Sequence, residues 1–127
     1  MTLTQRIARI LGPTLIAIGT TEAFNLQAFA GNPAQVVYLN GTLLFIGGVS
    51  IVQAHNRWTP ARSVLVTLAG WACLFGGLVR MAAPQAPQVG PGPAADMMFA
   101  LILAAGAILA YQGYGPRRAP RPEVLPD

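Results

Sequence analysis

Charge is what this sequence has least of. Only 9% of its 127 residues are charged, and lysine is absent, so all eight basic residues are arginines. Soluble domains carry roughly 25% charged residues, whereas 54% of this chain is hydrophobic. No charged side chain occurs within 23–56, 63–79 or 97–116. Gaps of this length argue against a soluble helical domain, in which each helix needs a polar face.

Cysteine, histidine and catalytic motifs are also scarce. The single Cys73 lies in an apolar run, cannot form an internal disulfide, and is expected to act as a small hydrophobe. The single His55 has no neighbouring cysteine, histidine or carboxylate to complete a metal site. CxxC, HExxH, GxSxG and phosphate-loop patterns are missing. These absences predict a protein that is not an enzyme, and they leave any cofactor, bound lipid or pigment unknown.

Four apolar runs occupy most of the chain. A helix needs about 20 apolar residues to cross roughly 30 Å of hydrocarbon, and the runs cover about 10–30, 35–53, 63–81 and 96–111. The third run repeats small side chains at four-residue spacing, which allows close helix approach in lipid. We therefore predict an all-α polytopic membrane protein, with four transmembrane helices packed through small residues in a domain 1–112, and an Arg/Pro-rich cytoplasmic tail 113–127.

Turn-forming residues occur in the first and the third connections between these runs. Gly31-Asn32-Pro33 is a turn signal after the first run. Four prolines within 84–95 predict an irregular connection before the last run, where Asp96 is expected to cap the helix N-terminus.

Arginine placement predicts the orientation in the membrane. The N-terminus, the central loop and the tail hold all but one of the arginines, namely Arg6, Arg9, Arg57, Arg62, Arg117, Arg118 and Arg121. Short cytoplasmic segments are enriched in arginine, so both termini and the 55–62 loop are expected in the cytoplasm. Because these arginines flank apolar runs, they indicate membrane topology, and we predict no nucleic-acid partner.

A cleavable secretory signal is an open alternative for the first run. Two arginines, an apolar core and Ala28-Phe29-Ala30 before Gly31 fit such a signal, although Glu22 does not. Residues 1–30 would then be removed from the protein rather than span the membrane.

Three polar residues on different runs are expected to share one depth in the membrane. At 1.5 Å per residue, Glu22, Asn40 and Arg80 all lie near the outer face. Ionisable groups at membrane depth usually face a partner or a water-filled cavity. We predict a polar intramembrane cluster of Glu22, Asn25, Asn40 and Arg80. Three interpretations are open: a proton- or cation-linked binding site, a structural cluster built on a Glu22–Arg80 ion pair, or interfacial residues that reach headgroups. An ion pair of Arg80 with Asp96 is an alternative to the pair with Glu22.

The cytoplasmic side carries a second set of candidate residues. A tryptophan beside arginines suits either an interfacial anchor or a protein contact. The predicted partner or headgroup contacts are His55, Asn56, Arg57, Trp58, Arg62, Arg117, Arg118 and Arg121.

Two resemblances bear on function. Ala54-His55-Asn56-Arg57-Trp58 and the following helix resemble small four-span bacterial membrane proteins of uncharacterised function, which implies a bacterial inner (plasma) membrane. The chain is also similar to small multidrug-resistance transporters in its length, its four apolar runs and a membrane-embedded glutamate in the first run, here Glu22. The proline-rich connection and the arginine-proline tail depart from that pattern.

These observations lead to two functional predictions. The first is an accessory or structural subunit of a larger membrane complex, in contact with lipid and with other membrane subunits or copies of itself. The alternative is a small homo-oligomeric proton- or cation-coupled transporter that uses Glu22. The sequence does not specify the complex, the substrate or the oligomeric state.

Overall fold

Helices account for most of the residues that this computed structural model describes, which are 2–59, 61–88 and 90–116. The long helices are α1 (Leu3–Phe24), α3 (Ala34–Ala54), α4 (Ala61–Ala82) and α5 (Pro93–Tyr114), and α2 is a short helix over Leu26–Ala30. The described ranges contain no strand, so the predicted all-helical fold is confirmed.

Three of the long helices are long and apolar enough to cross a membrane. These are α3, α4 and α5, and they indicate a membrane location. Helix α1 has the same length as α4 and α5, but Arg6, Arg9 and Glu22 make it more polar, and it does not join this group. The structure thus shows three candidate spans where four are predicted.

The first helix differs most from its predicted bounds of 10–30. It begins at Leu3 because Thr2 caps it: the Thr2 hydroxyl accepts a hydrogen bond from the Gln5 N–H at 3.2 Å. It ends at Phe24, and the Asn25 side-chain amide donates to the Thr21 carbonyl at 2.8 Å. The predicted first span is therefore two helices, α1 and α2, separated by Asn25.

The last helix also differs from its predicted bounds of 96–111. It begins at Pro93, whose fixed φ suits a first helical turn, after Gly92 at φ 155°, a conformation that favours glycine. Asp96 is not the cap; it lies in the first turn, where a carboxylate still complements the helix dipole. The helix continues to Tyr114, past the predicted domain boundary at 112, and residues 117–127 of the predicted tail lie outside the described residues.

The long helices form two antiparallel pairs. Helix α1 packs along α5, and α3 packs along α4, whereas contacts between the two pairs are sparse. Glycines allow the close approach within each pair. A Cβ on Gly41 would lie 2.8 Å from the Gly77 carbonyl oxygen, and a Cβ on Gly12 would lie 2.6 Å from the Ala110 Cα. Such spacing leaves no room for a side chain.

The alternating helix directions give the molecule two polar ends. The end that we call the His55 end holds the start of α1, the loop 55–59, the start of α4 and the end of α5. The Arg80 end holds the end of α1, the start of α3, the end of α4 and the start of α5. Between the ends, hydroxyl side chains bond carbonyls of their own helices, as Thr42 does to Tyr38 and Ser50 to Ile46. This pattern keeps polar groups paired in an apolar medium.

Candidate functional site at the Arg80 end

A cavity of about 110 Å³ lies where all the helices meet at the Arg80 end. Its polar lining comes from different segments of the chain, and its walls are apolar. The lining residues are Glu22, Leu26, Phe29, Asn32, Val36, Val37, Asn40, Arg80, Gln88, Met98 and Phe99. The two helix pairs both contribute to it, so its shape depends on how the pairs are arranged.

Arg80 is held by helix α3. Its guanidinium Nη1 donates a hydrogen bond to the Asn40 Oδ1 at 2.6 Å, and a Cβ on Gly41 would lie 2.7 Å from the Arg80 Cβ. The lack of a side chain at Gly41 thus lets the arginine stem lie against α3. Arg80 also lies in the last turn of α4, where a cation is favoured by the partial negative charge of the helix C-terminus.

Glu22 lines the same cavity from α1. Within the described ranges, its side chain forms no hydrogen bond or ion pair, so the Glu22–Arg80 ion pair predicted as a structural alternative is not formed. Three predicted residues, Glu22, Asn40 and Arg80, therefore surround one cavity. Asn25 does not, because its exposed amide is bonded to the Thr21 carbonyl of its own helix.

The His55 end contains a closed hydrogen-bond network instead of a cavity. His55 is only 1% exposed. Its Nε2 lies 2.7 Å from the Thr4 hydroxyl of α1, and its Nδ1 lies 3.2 Å from the Thr67 hydroxyl of α4. Thr4 also contacts the Ser63 hydroxyl at 3.2 Å. This network joins α1 of one helix pair to α4 of the other.

The bonds of Thr67 determine which nitrogen of neutral His55 carries the proton. The Thr67 hydroxyl donates to the Arg57 carbonyl at 2.7 Å and accepts from the Arg57 N–H at 3.1 Å. A hydroxyl has one proton to donate, so Thr67 can only accept from His55. The neutral imidazole therefore carries its proton on Nδ1, and its Nε2 accepts from the Thr4 hydroxyl.

The burial of His55 corrects one predicted contact residue. A side chain that is 1% exposed and bonded through both ring nitrogens is not available to headgroups or to a partner protein. The other described members of that set, Asn56, Arg57, Trp58 and Arg62, are exposed. Asn56 accepts a hydrogen bond from the Trp71 indole at 3.4 Å. Arg117, Arg118 and Arg121 lie outside the described residues.

Tyr114 compensates for a proline in the middle of α1. Pro13 lacks an N–H, which deprives the Arg9 carbonyl of its usual helical partner. The Tyr114 hydroxyl donates to that carbonyl at 3.2 Å. In return, the Arg9 Nε donates to the Gly113 carbonyl at 2.7 Å, and the guanidinium lies 4.9 Å from the centre of the Tyr114 ring. This exchange fastens the end of α5 to α1.

The cavity also contains residues that sequence reasoning missed. Asn32 and Gln88 lie in connections, and Phe99 is a buried residue of α5. Their positions depend on how the helix pairs meet, and no local pattern marks them.

In the part of the chain that the structure describes, no three His, Cys, Asp or Glu residues group as metal ligands.

Comparison of the chain with protein-family models, with curated proteins and with solved structures gives no match.

Proposed function

We propose that this protein is a small integral membrane protein that acts as an accessory or structural subunit of a larger membrane complex. The observation that carries the proposal is the contrast between close packing within each helix pair and sparse contact between the pairs. An apolar cleft of about 240 Å³, lined by residues such as Ile7, Leu11 and Ile51, lies between α1 and α3. Because the two helix pairs contact each other so little, neighbouring subunits would stabilise their arrangement.

Helix α1 is the fourth span in this proposal. It packs antiparallel to α5 along its length, from Arg9 beside Gly113 to Gly19 beside Leu103. A helix that follows an apolar partner so closely is expected to cross the membrane with it. This packing also favours an α1 that is retained over one that is cleaved as a signal.

The outward faces of the helices are apolar and suit lipid or neighbouring subunits. On α3 and α4, large side chains at helical spacing are exposed, including Leu39, Leu43, Ile46, Phe75 and Val79. By the positive-inside rule, the His55 end faces the cytoplasm of a bacterial inner membrane. Exposed Trp58 and Arg62 are then cytoplasmic contacts for headgroups or a partner.

Native mass spectrometry of the protein, extracted from its own membrane in a mild detergent, tests the proposal. A stoichiometric complex with different, larger subunits is the expected result. A dimer or small ring of this chain alone would overturn it. Substitution of Trp58 by Ala then tests whether the His55 end makes the contact. Phe24→Ala, which removes an exposed aromatic side chain at the Arg80 end, is the matched control.

A homo-oligomeric transporter is the second candidate, and one observation favours it. Glu22 faces the cavity without a bonding partner among the described side chains, as a coupling acid must. If the chain forms a homo-oligomer, Glu22→Gln is expected to abolish proton-coupled transport in vesicles. Asp96→Asn, which removes the same charge from an exposed site on α5, should leave transport unchanged.

A further inference from the structure

The cavity at the Arg80 end holds two opposite charges that do not neutralise each other. Arg80 enters from α4 and Glu22 enters from α1, and both line the same space. The described residues provide Arg80 with the Asn40 oxygen and provide Glu22 with no partner. Separated charges at membrane depth are costly unless something solvates or pairs them.

Arg80 keeps hydrogen-bonding capacity after it has bonded Asn40. A guanidinium has five N–H donors, and Asn40 takes one from Nη1. The Asn40 contact also restrains the orientation of the guanidinium, which prepares it for an anionic group. The ionised carboxylate of Glu22, on the facing helix pair, only accepts hydrogen bonds.

We propose that this cavity binds a small zwitterion, whose anionic group contacts Arg80 and whose ammonium group contacts Glu22. The volume of about 110 Å³ is well below the roughly 300–1,000 Å³ of sites for drug-sized ligands, so a headgroup or an amino acid fits. The ammonium must carry N–H groups, because the ligand faces a carboxylate that accepts hydrogen bonds.

Two sources supply this chemistry. One is the ethanolamine headgroup of a phospholipid, whose phosphate would contact Arg80 at the outer end of α4. The other is a free amino acid, whose carboxylate would take the same position. The apolar walls from Phe29, Val37 and Phe99 suit the short carbon chain between the charges in both cases.

The proposed zwitterion site does not depend on the proposal that the protein is a subunit of a larger complex. Ligand binding by the isolated chain tests the site, whereas the composition of the native complex tests the subunit proposal. Either can fail while the other holds.

The experiment uses the full chain in nanodiscs that contain equal amounts of phosphatidylethanolamine, phosphatidylcholine and phosphatidylglycerol. Lipid retained by the protein is measured by native mass spectrometry. Phosphatidylcholine lacks N–H groups and phosphatidylglycerol lacks the cation, so ethanolamine lipid should be retained preferentially. We expect a preference of at least about tenfold, because hydrogen bonds to charged groups contribute that much.

Two charge variants with matched controls link retention to the cavity. Glu22→Gln should abolish the preference for ethanolamine lipid, and Arg80→Gln should lower retention of all three lipids. Asp96→Asn and Arg6→Gln make the same changes at exposed positions and should retain lipid like the original protein. If circular dichroism shows that Arg80→Gln does not fold, Arg80→Lys, which keeps the charge, should retain the preference.

Equilibrium dialysis with labelled phosphoethanolamine and labelled glycine separates the two sources. Displacement of bound ethanolamine lipid by phosphoethanolamine identifies the headgroup as the ligand. Glycine binding that depends on Glu22 and Arg80, without lipid preference, identifies a free amino acid. Equal retention of all three lipids together with no binding of either probe overturns the proposal, as does an Asp96→Asn effect equal to that of Glu22→Gln.

Discussion

The polar groups at the two ends of this molecule are arranged in opposite ways. At the His55 end, the imidazole, three hydroxyls and the Arg57 backbone satisfy one another in a closed network. At the Arg80 end, two ionisable side chains of opposite sign face a cavity and are not bonded to each other. Polar groups that are fully paired stabilise a fold, while groups left open to a cavity are available to a ligand. This contrast is why we propose a structural role for the His55 end and a binding role for the Arg80 end.

Loss of the Thr67 hydroxyl should have the largest effect. Thr67→Val keeps the shape of the side chain but leaves the Arg57 N–H and carbonyl and the His55 Nδ1 without this partner. We expect a fall of about 3 kcal/mol in the free energy of unfolding, measured by denaturant titration in mixed micelles. Thr42→Val, which loses only a bond to a carbonyl of its own helix, should change stability by less than about 0.5 kcal/mol. If Thr67→Val and Thr42→Val change stability equally, the network at the His55 end does not stabilise the fold.

The close packing of α3 against α4 positions residues at both ends of the molecule, and a substitution at Gly48 tests this packing. A Cβ on Gly48 would lie 2.6 Å from the Leu74 Cα, whereas a Cβ on Gly47 would contact nothing within 4 Å. Gly48→Ala should lower the free energy of unfolding by about 1–3 kcal/mol through overpacking. Gly47→Ala should leave it unchanged or raise it by up to about 1 kcal/mol, because alanine favours helix more than glycine does. If Gly48→Ala and Gly47→Ala have the same effect on stability, α3 and α4 do not pack closely at Gly48.

Tyr114 provides a smaller test at the His55 end. Tyr114→Phe should cost about 1 kcal/mol, because the Arg9 carbonyl loses its donor. In a Pro13→Ala background the cost should be smaller, since an alanine at this position supplies the missing helical N–H. A double-mutant cycle measures this coupling, and Tyr111→Phe serves as the exposed control. Additive effects would mean that Tyr114 does not compensate for the proline.

Neutralisation of Glu22 should have little effect on stability. Because Glu22 has no bonding partner among the described residues, Glu22→Gln removes no favourable contact and should lower the free energy of unfolding by less than about 0.5 kcal/mol. Denaturant unfolding of Glu22→Gln in mixed micelles, with Asp96→Asn as the control, checks this expectation. A loss of several kcal/mol would mean that Glu22 belongs to a closed polar network like that of His55.

The last test changes no residue. Neutral His55 should carry its proton on Nδ1, and since the chain has one histidine, nitrogen-15 NMR of its imidazole needs no assignment by mutation. The Nε2 tautomer would require Thr67 to donate to His55 and to release the Arg57 carbonyl.

Sequence patterns predict the helices well and their partners poorly. Apolar length identifies α3, α4 and α5, because a membrane span is a local property of the chain. The 1.5 Å rise places Glu22, Asn40 and Arg80 at one depth for the same reason. Asn25 is also predicted in that cluster, but its side-chain amide donates to the Thr21 carbonyl, and Asn25 lies at the C-terminus of α1.

Pairing and burial are not local, and the sequence leaves them open. Small residues occur on both faces of several helices, so they do not specify that α1 pairs with α5. His55 lies in a polar stretch beside exposed arginines and has the sequence context of a surface residue. In the structure it is buried and bonds Thr4, which is 51 positions away, and no local pattern indicates such a contact.

The pairing of the first long helix with the last has a consequence for biosynthesis. The α3–α4 hairpin can close as soon as its own residues have been made, whereas Arg9 contacts Gly113 across 104 positions. At roughly 5–20 residues per second of translation, several seconds pass between the synthesis of α1 and the emergence of α5 from the ribosome. During that interval the glycine face of α1 is uncovered, and any other small-faced helix nearby competes for it. The order of synthesis thus makes α1 the helix most exposed to mispairing, and also the one best placed to engage another chain before its own fold is complete.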